Sequence, residues 1–231
     1  MRNRSILVCC AIIAVSAAGF AAERTIEASF PADQIEAISV TNGVGDFGFA
    51  AGDSNEIRVQ ITLTPRRGGL FSSMKRAEED VEKATLISNV DDRTLFLEVD
   101  AGSNEPRFEA HWLVTAPSRL ALDLEQGVGD VDVTGSAGDI EMEVGVGTAS
   151  VTVLGGDVNV NVGVGNGTVR GPAGAFRSAD AAGGVGDAVI EAEGDVESSA
   201  GFVSHSSSWR GDGTYTMDLE VGVGDAKIIL E

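Results

Sequence analysis

Two aspartates, Asp139 and Asp157, lie 18 residues apart at matching positions of a repeated pattern, each directly after a glycine. If their repeats stack as neighbouring strands, about 4.8 Å apart, the two carboxylates repel each other unless water or a cation separates them. Calcium binds about six to eight oxygen ligands, several of them charged, which makes this pair the best candidate for a calcium site. Solvation of both carboxylates is the alternative interpretation, and no other cofactor is indicated.

Catalytic groups are not arranged in a recognisable pattern. The two histidines, His111 and His205, lie far apart without the histidine partners that zinc sites need or the arrangement of Ser-His-Asp catalysis. Carboxylate pairs such as Glu141 and Glu143 are expected by chance in a chain with 36 acidic residues. The sequence therefore predicts a protein that is not an enzyme. The alternative is a carbohydrate-active β-helix enzyme, a polysaccharide lyase or hydrolase, whose cleft should interrupt the repeat, most plainly at 196–215.

The composition and net charge of the chain exclude some classes of protein and of binding partner. The 231 residues carry a formal net charge of -20 and are 43% apolar, which is too apolar for a disordered acidic tail and too acidic for a phosphate-binding surface. The composition therefore argues against nucleic acid as a partner. With 30 glycines and only 5% aromatic residues, the core must consist mainly of Val, Ile, Leu and Ala.

The first residues have the features of a secretory signal peptide. Arg2 and Arg4 precede an uncharged apolar run over 6–20 that ends in small residues, and cleavage after Ala21 places small side chains at both recognition positions. The sequence predicts a signal peptide over 1–21 and a mature chain over 22–231 that is periplasmic or extracellular at the cell surface. Both cysteines precede the cleavage point, so disulfides and thiol chemistry are excluded from the mature chain.

A Gly-Val-Gly motif followed by a small polar residue recurs six times. Its glycines are Gly43, Gly45, Gly127, Gly129, Gly145, Gly147, Gly163, Gly165, Gly184, Gly186, Gly222 and Gly224. Steps of 18, 18, 21 and 38 residues follow the second copy, and a degenerate copy at 201–204 divides the longest step. Repeats of about 20 residues are typical of stacked solenoids.

Apolar residues alternate with polar ones on both sides of each motif, as in Ile140, Met142 and Val144 before it and Val151 and Val153 after it. This period of two predicts two short strands joined at a Gly-Val-Gly corner. The sequence thus predicts an all-β fold, a β-solenoid with about 18 to 21 residues per coil.

The N-terminal part of the single domain is less regular. Over 22–110 the pattern predicts one coil at 36–50 and further strands at 57–64 and 94–99, with a loop or short helix over 65–83. Regular repeats occupy 111–231.

The polar residues after the corners form a predicted column: Asp130, Thr148, Asn166, Asp187, Ser204 and Asp225. In chain order no two aspartates are neighbours in this column, which argues against a metal-binding column. We therefore interpret these residues as structural, with side chains that close turns at each corner.

Four basic residues, Arg66, Arg67, Lys75 and Arg76, interrupt an otherwise acidic chain. Because glycines and apolar residues lie between them, this segment could contact anionic lipid or an acidic partner as a peripheral membrane contact. The alternative is a solvated loop whose charges pair with the acidic residues that follow it.

The signal peptide, the Gly-Val-Gly-Asp repeats and the strand-Pro-strand segment over 112–124 together resemble the bacterial putative-adhesin family, a β-strand-repeat domain of unknown function. The resemblance implies a right-handed parallel β-helix and an exported, non-enzymatic protein of the cell envelope, with no catalytic motif to transfer. We expect an adhesin-like or scaffold role, with an envelope or surface protein or a glycan as partner; a calcium-stabilised structural solenoid is a further alternative.

The last predicted strand, over 227–230, has no segment after it that would cap the solenoid. An open strand edge offers unpaired backbone groups to another chain, so the sequence predicts end-to-end homodimers.

Overall fold

The computed structural model of the protein describes residues 23–66, 74–102, 106–201 and 204–231. The predicted signal peptide, both cysteines and Arg67 lie outside these ranges. The described chain is all-β with a single α-helix, and its strands form one 17-stranded, mostly parallel sheet that does not close on itself. Within the same ranges, no helix has the length and apolar character needed to cross a membrane.

In the N-terminal half the elements are β1 (Arg24–Pro31), β2 (Ala37–Val44), β3 (Phe47–Gly52), β4 (Glu56–Pro65), α1 (Met74–Lys83), β5 (Thr85–Asp91), β6 (Thr94–Asp100) and β7 (Phe108–Pro117). In the C-terminal half they are β8 (Ala121–Val128), β9 (Val131–Ser136), β10 (Ile140–Val153), β11 (Val158–Gly171), β12 (Phe176–Val185), β13 (Ala188–Glu191), β14 (Val196–Ala200), β15 (His205–Arg210), β16 (Tyr215–Val223) and β17 (Ala226–Leu230). The strands predicted at 57–64 and 94–99 are β4 and β6. In the segment 65–83, predicted as a loop or short helix, the last ten residues form α1.

Six repeats carry a glycine corner between a first and a second strand. We number them in chain order: repeat one is 37–52, repeat two 121–136, repeat three 140–153, repeat four 158–171, repeat five 176–191 and repeat six 215–230. Neighbouring repeats pair in parallel and in register, so that Ile140 lies between Leu122 and Val158, each 18 residues away. First strands pair with first strands and second strands with second strands.

The stacking order differs from the chain order at the C-terminus. Strand β16 pairs with β11 on one side and β12 on the other, and β17 pairs with β11 and β13. Repeat six is therefore inserted between repeats four and five. The expectation of an open edge over 227–230 is wrong, because that strand is paired on both sides.

The predicted degenerate coil at 201–204 is also wrong. Strands β14 and β15 form an antiparallel hairpin, and β15 adds antiparallel to β12 at the end of the stack. Between them, the Gly201 N–H donates to the Ser204 carbonyl over 2.7 Å. Small inward residues of repeat five, Ala179 and Ala181, leave room beside the hairpin, and buried Trp209 pairs directly opposite Ala179.

The opposite end of the stack has a different closure. Strand β6 pairs in parallel with β2, and β7 pairs in parallel with β3. Beyond them, β5 pairs antiparallel with β6, β4 pairs antiparallel with β7, and β1 pairs antiparallel with β4. Helix α1 buries Ala77 and Val81, and the Arg24 guanidinium donates to carbonyls of Val81, Glu82 and Ala84 at its C-terminal end. Cationic groups stabilise helix C-termini, so this contact fixes α1 against β1.

The core consists of columns of inward side chains, one residue from each repeat. One such column runs Ile38, Leu122, Ile140, Val158, Met217 and Ala179, all buried. Another column begins with two buried amides, Asn42 and Gln126, which bond to each other over 3.0 Å and to the Gly45 carbonyl. These bonds satisfy polar groups that would otherwise be costly to bury.

Candidate interaction surface

The Gly-Val-Gly corners stack directly on one another, which explains why both glycines are needed at every corner except the first, where nothing lies within 4 Å of a side-chain carbon on Gly43. A side-chain carbon on Gly163 would lie 2.6 Å from the Gly145 carbonyl oxygen, and one on Gly222 would lie 2.6 Å from that of Gly163. The second glycine of each corner has a positive φ, for example +140° at Gly165, which L-residues rarely adopt. The corner is therefore closed to other residues for two separate reasons.

The polar column beside these corners links one repeat to the next. In stacking order it runs Asp46, Asp130, Thr148, Asn166, Asp225 and Asp187. Backbone N–H groups donate to the preceding side chain along it: Asp130 to Asp46 (3.0 Å), Thr148 to Asp130 (2.9 Å), Asp225 to Asn166 (3.0 Å) and Asp187 to Asp225 (3.0 Å). Side chains of this column therefore accept hydrogen bonds from neighbouring repeats. The closure of local turns by the same residues stays a prediction.

Two pairs of aspartates are neighbours in this column, contrary to the sequence-based expectation. Asp46 is next to Asp130, and the insertion of repeat six brings Asp225 next to Asp187. His111 extends the column at one end, because its Nδ1 lies 3.2 Å from Asp46 Oδ2. The predicted member Ser204 lies in the hairpin turn and is not part of the column.

The predicted calcium pair forms a second ladder on the opposite corner. Asp139 Oδ1 accepts a hydrogen bond from the Asp157 N–H over 2.9 Å, and Asp157 Oδ1 accepts from the N–H and hydroxyl of Thr216. Both aspartates are exposed, and they line an open groove of about 420 Å³ that also includes Asp123 and Asp218. Within the described ranges no three His, Cys, Asp or Glu side chains form a metal-binding group. The calcium site stays a prediction.

The central valine points into solvent at five of the six corners, whereas Val44 of the first corner is partly buried. Val128, Val146, Val164, Val223 and Val185 are 47%, 48%, 48%, 48% and 54% exposed and pair in that stacking order. We call this row the valine ridge. Sequence analysis missed it because alternation alone does not give the direction of a residue between two glycines. The signal in the sequence was the valine itself, which is the same in all six motifs although a glycine corner does not require an apolar residue.

Carboxylates border the valine ridge on both sides. Three residues before the valines stand Glu125, Glu143 and Glu220, all exposed. Two residues after them stand Asp130, Asp225 and Asp187. The remaining border positions are neutral: Asn161 and Ala182 before the valines, and Thr148 and Asn166 after them. Because neither border contains Lys or Arg, the ridge is an apolar line with negative charge beside it at every valine except Val164.

The hairpin that interrupts the repeats forms one side of an open groove of about 530 Å³. Its lining includes Asp180, Asp218 and Glu197 together with serines of β14 and β15. Burial raises the pKa of Asp218 above its ordinary value, and the negative charges of Asp180 and Asp157 raise it further, while Arg210 lowers it. Arg210 itself bonds to Asp180 over 3.1 Å.

The predicted basic contact is only partly within the described residues. Arg66 is exposed at the end of β4, and Lys75 and Arg76 are exposed on the first turn of α1. Glu78 and Glu79 lie on the next turn of the same helix. Lys75 and Arg76 thus lie on the same helix as acidic residues, and both the membrane contact and its alternative stay predictions.

No family model matches the chain, and no curated protein matches it. Solved structures do match. A putative cell adhesion protein from Clostridium sporogenes is 15% identical, over 90% of this chain and 100% of that chain, with a TM-score of 0.58. A putative adhesin from Bacteroides fragilis is 16% identical over 88% and 96%, with a TM-score of 0.37. One from Parabacteroides merdae is 12% identical over 90% and 96%, with a TM-score of 0.27.

The resemblance is one of fold. It confirms the similarity to the putative-adhesin family that the repeats indicated, at the level of architecture. Identity of 15% transfers no residue role, and the two likenesses with TM-scores below 0.5 add nothing to the fold comparison.

Proposed function

We propose that the chain is an exported, non-catalytic protein of the bacterial cell envelope that binds a partner along the glycine corner of a right-handed parallel β-helix. In-register parallel pairing at 18-residue offsets supports the coil geometry. The likeness to a protein named for cell adhesion supports an adhesin-like or scaffold role. The valine ridge carries the proposal, because the stacked glycines alone would suffice to build the corner.

The chemistry of the ridge defines the partner it fits. An apolar line that has carboxylates on both sides is complementary to an apolar surface with basic rims. Anionic lipid headgroups would be repelled by the borders, whereas an envelope protein with a basic, apolar recess would gain both contacts. Solvent exposure near one half at each valine makes apolar area available to such a partner.

A designed peptide of leucine and lysine tests this chemistry. Its affinity for the protein, measured by fluorescence anisotropy at physiological salt, should fall about tenfold in Val146→Ser/Val164→Ser/Val223→Ser, the equivalent of about 1.4 kcal/mol. The matched control, Leu113→Ser/Leu154→Ser/Val189→Ser, removes three exposed apolar side chains away from the ridge. Equal affinities of both triple variants would contradict the proposal.

Location is tested by protease treatment of cells. Cleavage on intact cells would support adhesion at the surface, and protection until the outer layer is permeabilised would support a periplasmic scaffold. Recovery of the uncleaved protein with the cytoplasmic fraction would contradict export.

A carbohydrate-active enzyme is the second candidate, favoured by one observation. The interruption at 196–215 does form a groove, and Asp218, with its raised pKa, lies on the strand next to Asp180. A carboxyl group with a raised pKa is suited to act as a general acid in glycoside cleavage. The negative lining suits neutral or amino-bearing glycans. Release of reducing ends from chitosan oligomers that is abolished in Asp218→Asn and kept in Asp123→Asn would support it.

Membrane contact through Arg66, Arg67, Lys75 and Arg76 is a separate proposal. Sedimentation with phosphatidylglycerol vesicles, but not with phosphatidylcholine vesicles, would support it. The variant Lys75→Glu/Arg76→Glu should then lose the sedimentation, and unchanged sedimentation of that variant would contradict a role of α1.

A further inference from the structure

Strand β5 lies at a free edge of the sheet, next to β6, which pairs with the first strand of repeat one. Within the described ranges it pairs with β6 alone. Its inward residues Leu86 and Val90 are only partly buried against the core, and Ser88 between them is exposed. On the outward side, Ile87 of β5 and Phe96 of β6 are 47% and 43% exposed. The end of the core is therefore incompletely covered at this strand.

The other three edges of the described sheet differ from β5. Strand β1 has fully buried inward residues, and it ends at Pro31. Strand β13 has only four residues, and the exposed part of β14 is acidic and serine-rich. Native edges are usually protected by proline, lysine, bulges or short length, and β5 has none of these features within its seven residues.

Backbone geometry defines which groups of β5 are free. Asp91 and Thr94 flank a two-residue loop, Asp92-Arg93, in which both residues have positive φ. Such a loop closes a hydrogen-bonded pair, and hydrogen bonding alternates along an antiparallel ladder. The N–H and carbonyl groups of Leu86, Ser88 and Val90 therefore point away from β6 toward the open edge.

The sequence of β5 is complementary to itself. In an antiparallel pair centred on Ser88, the residues that present free backbone groups meet one another: Leu86 faces Val90 of a second copy, and Ser88 faces its equivalent. Both apolar pairs lie on the inward face and extend the two cores into each other. A twofold axis of this kind is the commonest symmetry of homodimers.

Charge does not oppose this pairing. Lys83 lies outside β5, as the last residue of α1, and the register would set it opposite Arg93, whose charge is already paired with Glu36 of its own chain. In the same pairing no two like charges of β5 stand directly opposite each other, since Thr85 faces Asp91. Outward Ile87 and Phe96 from both copies are gathered on one face.

We infer that β5 is a homodimer interface in which two copies pair edge to edge around Ser88. This places the self-association at the N-terminal end of the stack instead of at the C-terminal strand that the sequence indicated. The inference is independent of the valine ridge, which lies along the corner of the repeats.

Sedimentation equilibrium of the purified protein tests the interface. At micromolar concentration the parent should have the mass of a dimer, and Ser88→Lys should be monomeric, because two lysines would stand directly opposite at the axis. Asn89→Lys is the matched control: it adds the same charge one residue away on the outward face and should remain dimeric. A monomeric parent at high micromolar concentration, or a dimer that Ser88→Lys leaves intact, would overturn the inference.

Oxidative crosslinking supplies a second measurement. With Cys9 and Cys10 replaced by serine, Ser88→Cys should form a disulfide-linked dimer, because opposite residues at the axis lie about 5.5 Å apart. Asp91→Cys should not, since its equivalents would be about 20 Å apart in this register. Crosslinking of both variants to the same extent would indicate random collision and contradict the specific pairing.

Discussion

Asp130 Oδ1 accepts a hydrogen bond from the backbone N–H of Thr148, 2.9 Å away and one repeat farther along the stack. The Asp130 N–H donates in turn to Asp46 Oδ1 over 3.0 Å. One side chain thus satisfies a backbone donor at a corner where the parallel ladder changes from first to second strands. The polar residue after each glycine corner acts as a connector between repeats.

Replacement of Asp130 tests this connector. Asp130→Ala should lower the free energy of unfolding by about 1 kcal/mol, because the Thr148 N–H loses its acceptor. Asp130→Asn keeps an oxygen in the same place and should restore most of the stability. Urea unfolding gives both values. The control Asp132→Ala removes a carboxylate from the outward face two residues later, and an equal loss there would contradict the role of the ladder.

The stacked corners predict a larger effect at glycine. Gly165→Ala should cost about 3 kcal/mol or more, because the new methyl group would collide with the Gly147 carbonyl oxygen and φ is +140°. Gly174→Ala, where nothing lies within 4 Å of the added carbon, is the control and should melt like the parent. A parent-like melting temperature for Gly165→Ala would mean that the corners are not stacked as described.

Sequence periodicity predicts much of this architecture because burial on one face of a strand imposes a period of two. The inward and outward residues of repeats two, three and four follow that rule, and so do β4 and β6. Periodicity shows where each repeat lies in the sequence, but it does not show which repeats are neighbours in the stack. In the structure, Met217 and Leu219 pair with Val158 and Val160 of repeat four on one side and with Ala179 and Ala181 of repeat five on the other. Trp209 then lies opposite Ala179 at the end of the stack.

The candidate surface was less predictable for a related reason. A glycine corner breaks the alternation, so the exposure of the valine ridge follows only from the corner geometry. The neighbouring pairs Asp46 with Asp130 and Asp225 with Asp187 depend on stacking order, which chain spacing could not supply. The aspartates at Asp139 and Asp157 were placed correctly as neighbours because repeats three and four are adjacent both in the chain and in the stack.

The inserted position of repeat six predicts that the C-terminal residues are essential to the whole stack. A chain that ends at residue 214 should not fold cooperatively, because β11, β12 and β13 lose partners on the inserted side. A peptide of residues 215–231, added in excess, should restore cooperative melting in circular dichroism, and a scrambled peptide should not. Parent-like melting of the shortened chain alone would show that repeat six is terminal and dispensable.

Calcium binding at Asp139 and Asp157 predicts a dependence on divalent cations. Millimolar calcium should raise the melting temperature of the parent relative to chelator, since a ligand that binds only the folded state stabilises it. Asp139→Asn and Asp157→Asn keep the backbone hydrogen bonds to Oδ1 and should abolish the calcium effect. In chelator both variants should melt no lower than the parent, because each removes a charge that repels its neighbours. If all three proteins melt alike in both buffers, the site does not exist.

Titration of Asp218 predicts how stability changes with pH. Burial and the nearby carboxylates raise its folded-state pKa, so the folded protein binds this proton more tightly than the unfolded chain does. The stabilisation from protonation is complete below the ordinary pKa of 3.8 and is lost as the pH rises through the raised value. At neutral pH the ionised carboxylate is therefore unfavourable in the folded state.

Asp218→Asn should consequently unfold at a higher urea concentration than the parent at pH 7, because the amide avoids repulsion from Asp180 and Asp157. The difference should shrink as the pH falls through the raised pKa and vanish below about 3.8. Asp123→Asn, which removes the same charge from a strand farther along the acidic face, should lack this pH-dependent gain. A pH-independent difference for Asp218→Asn would mean that the amide acts through packing and not through the carboxylate's charge.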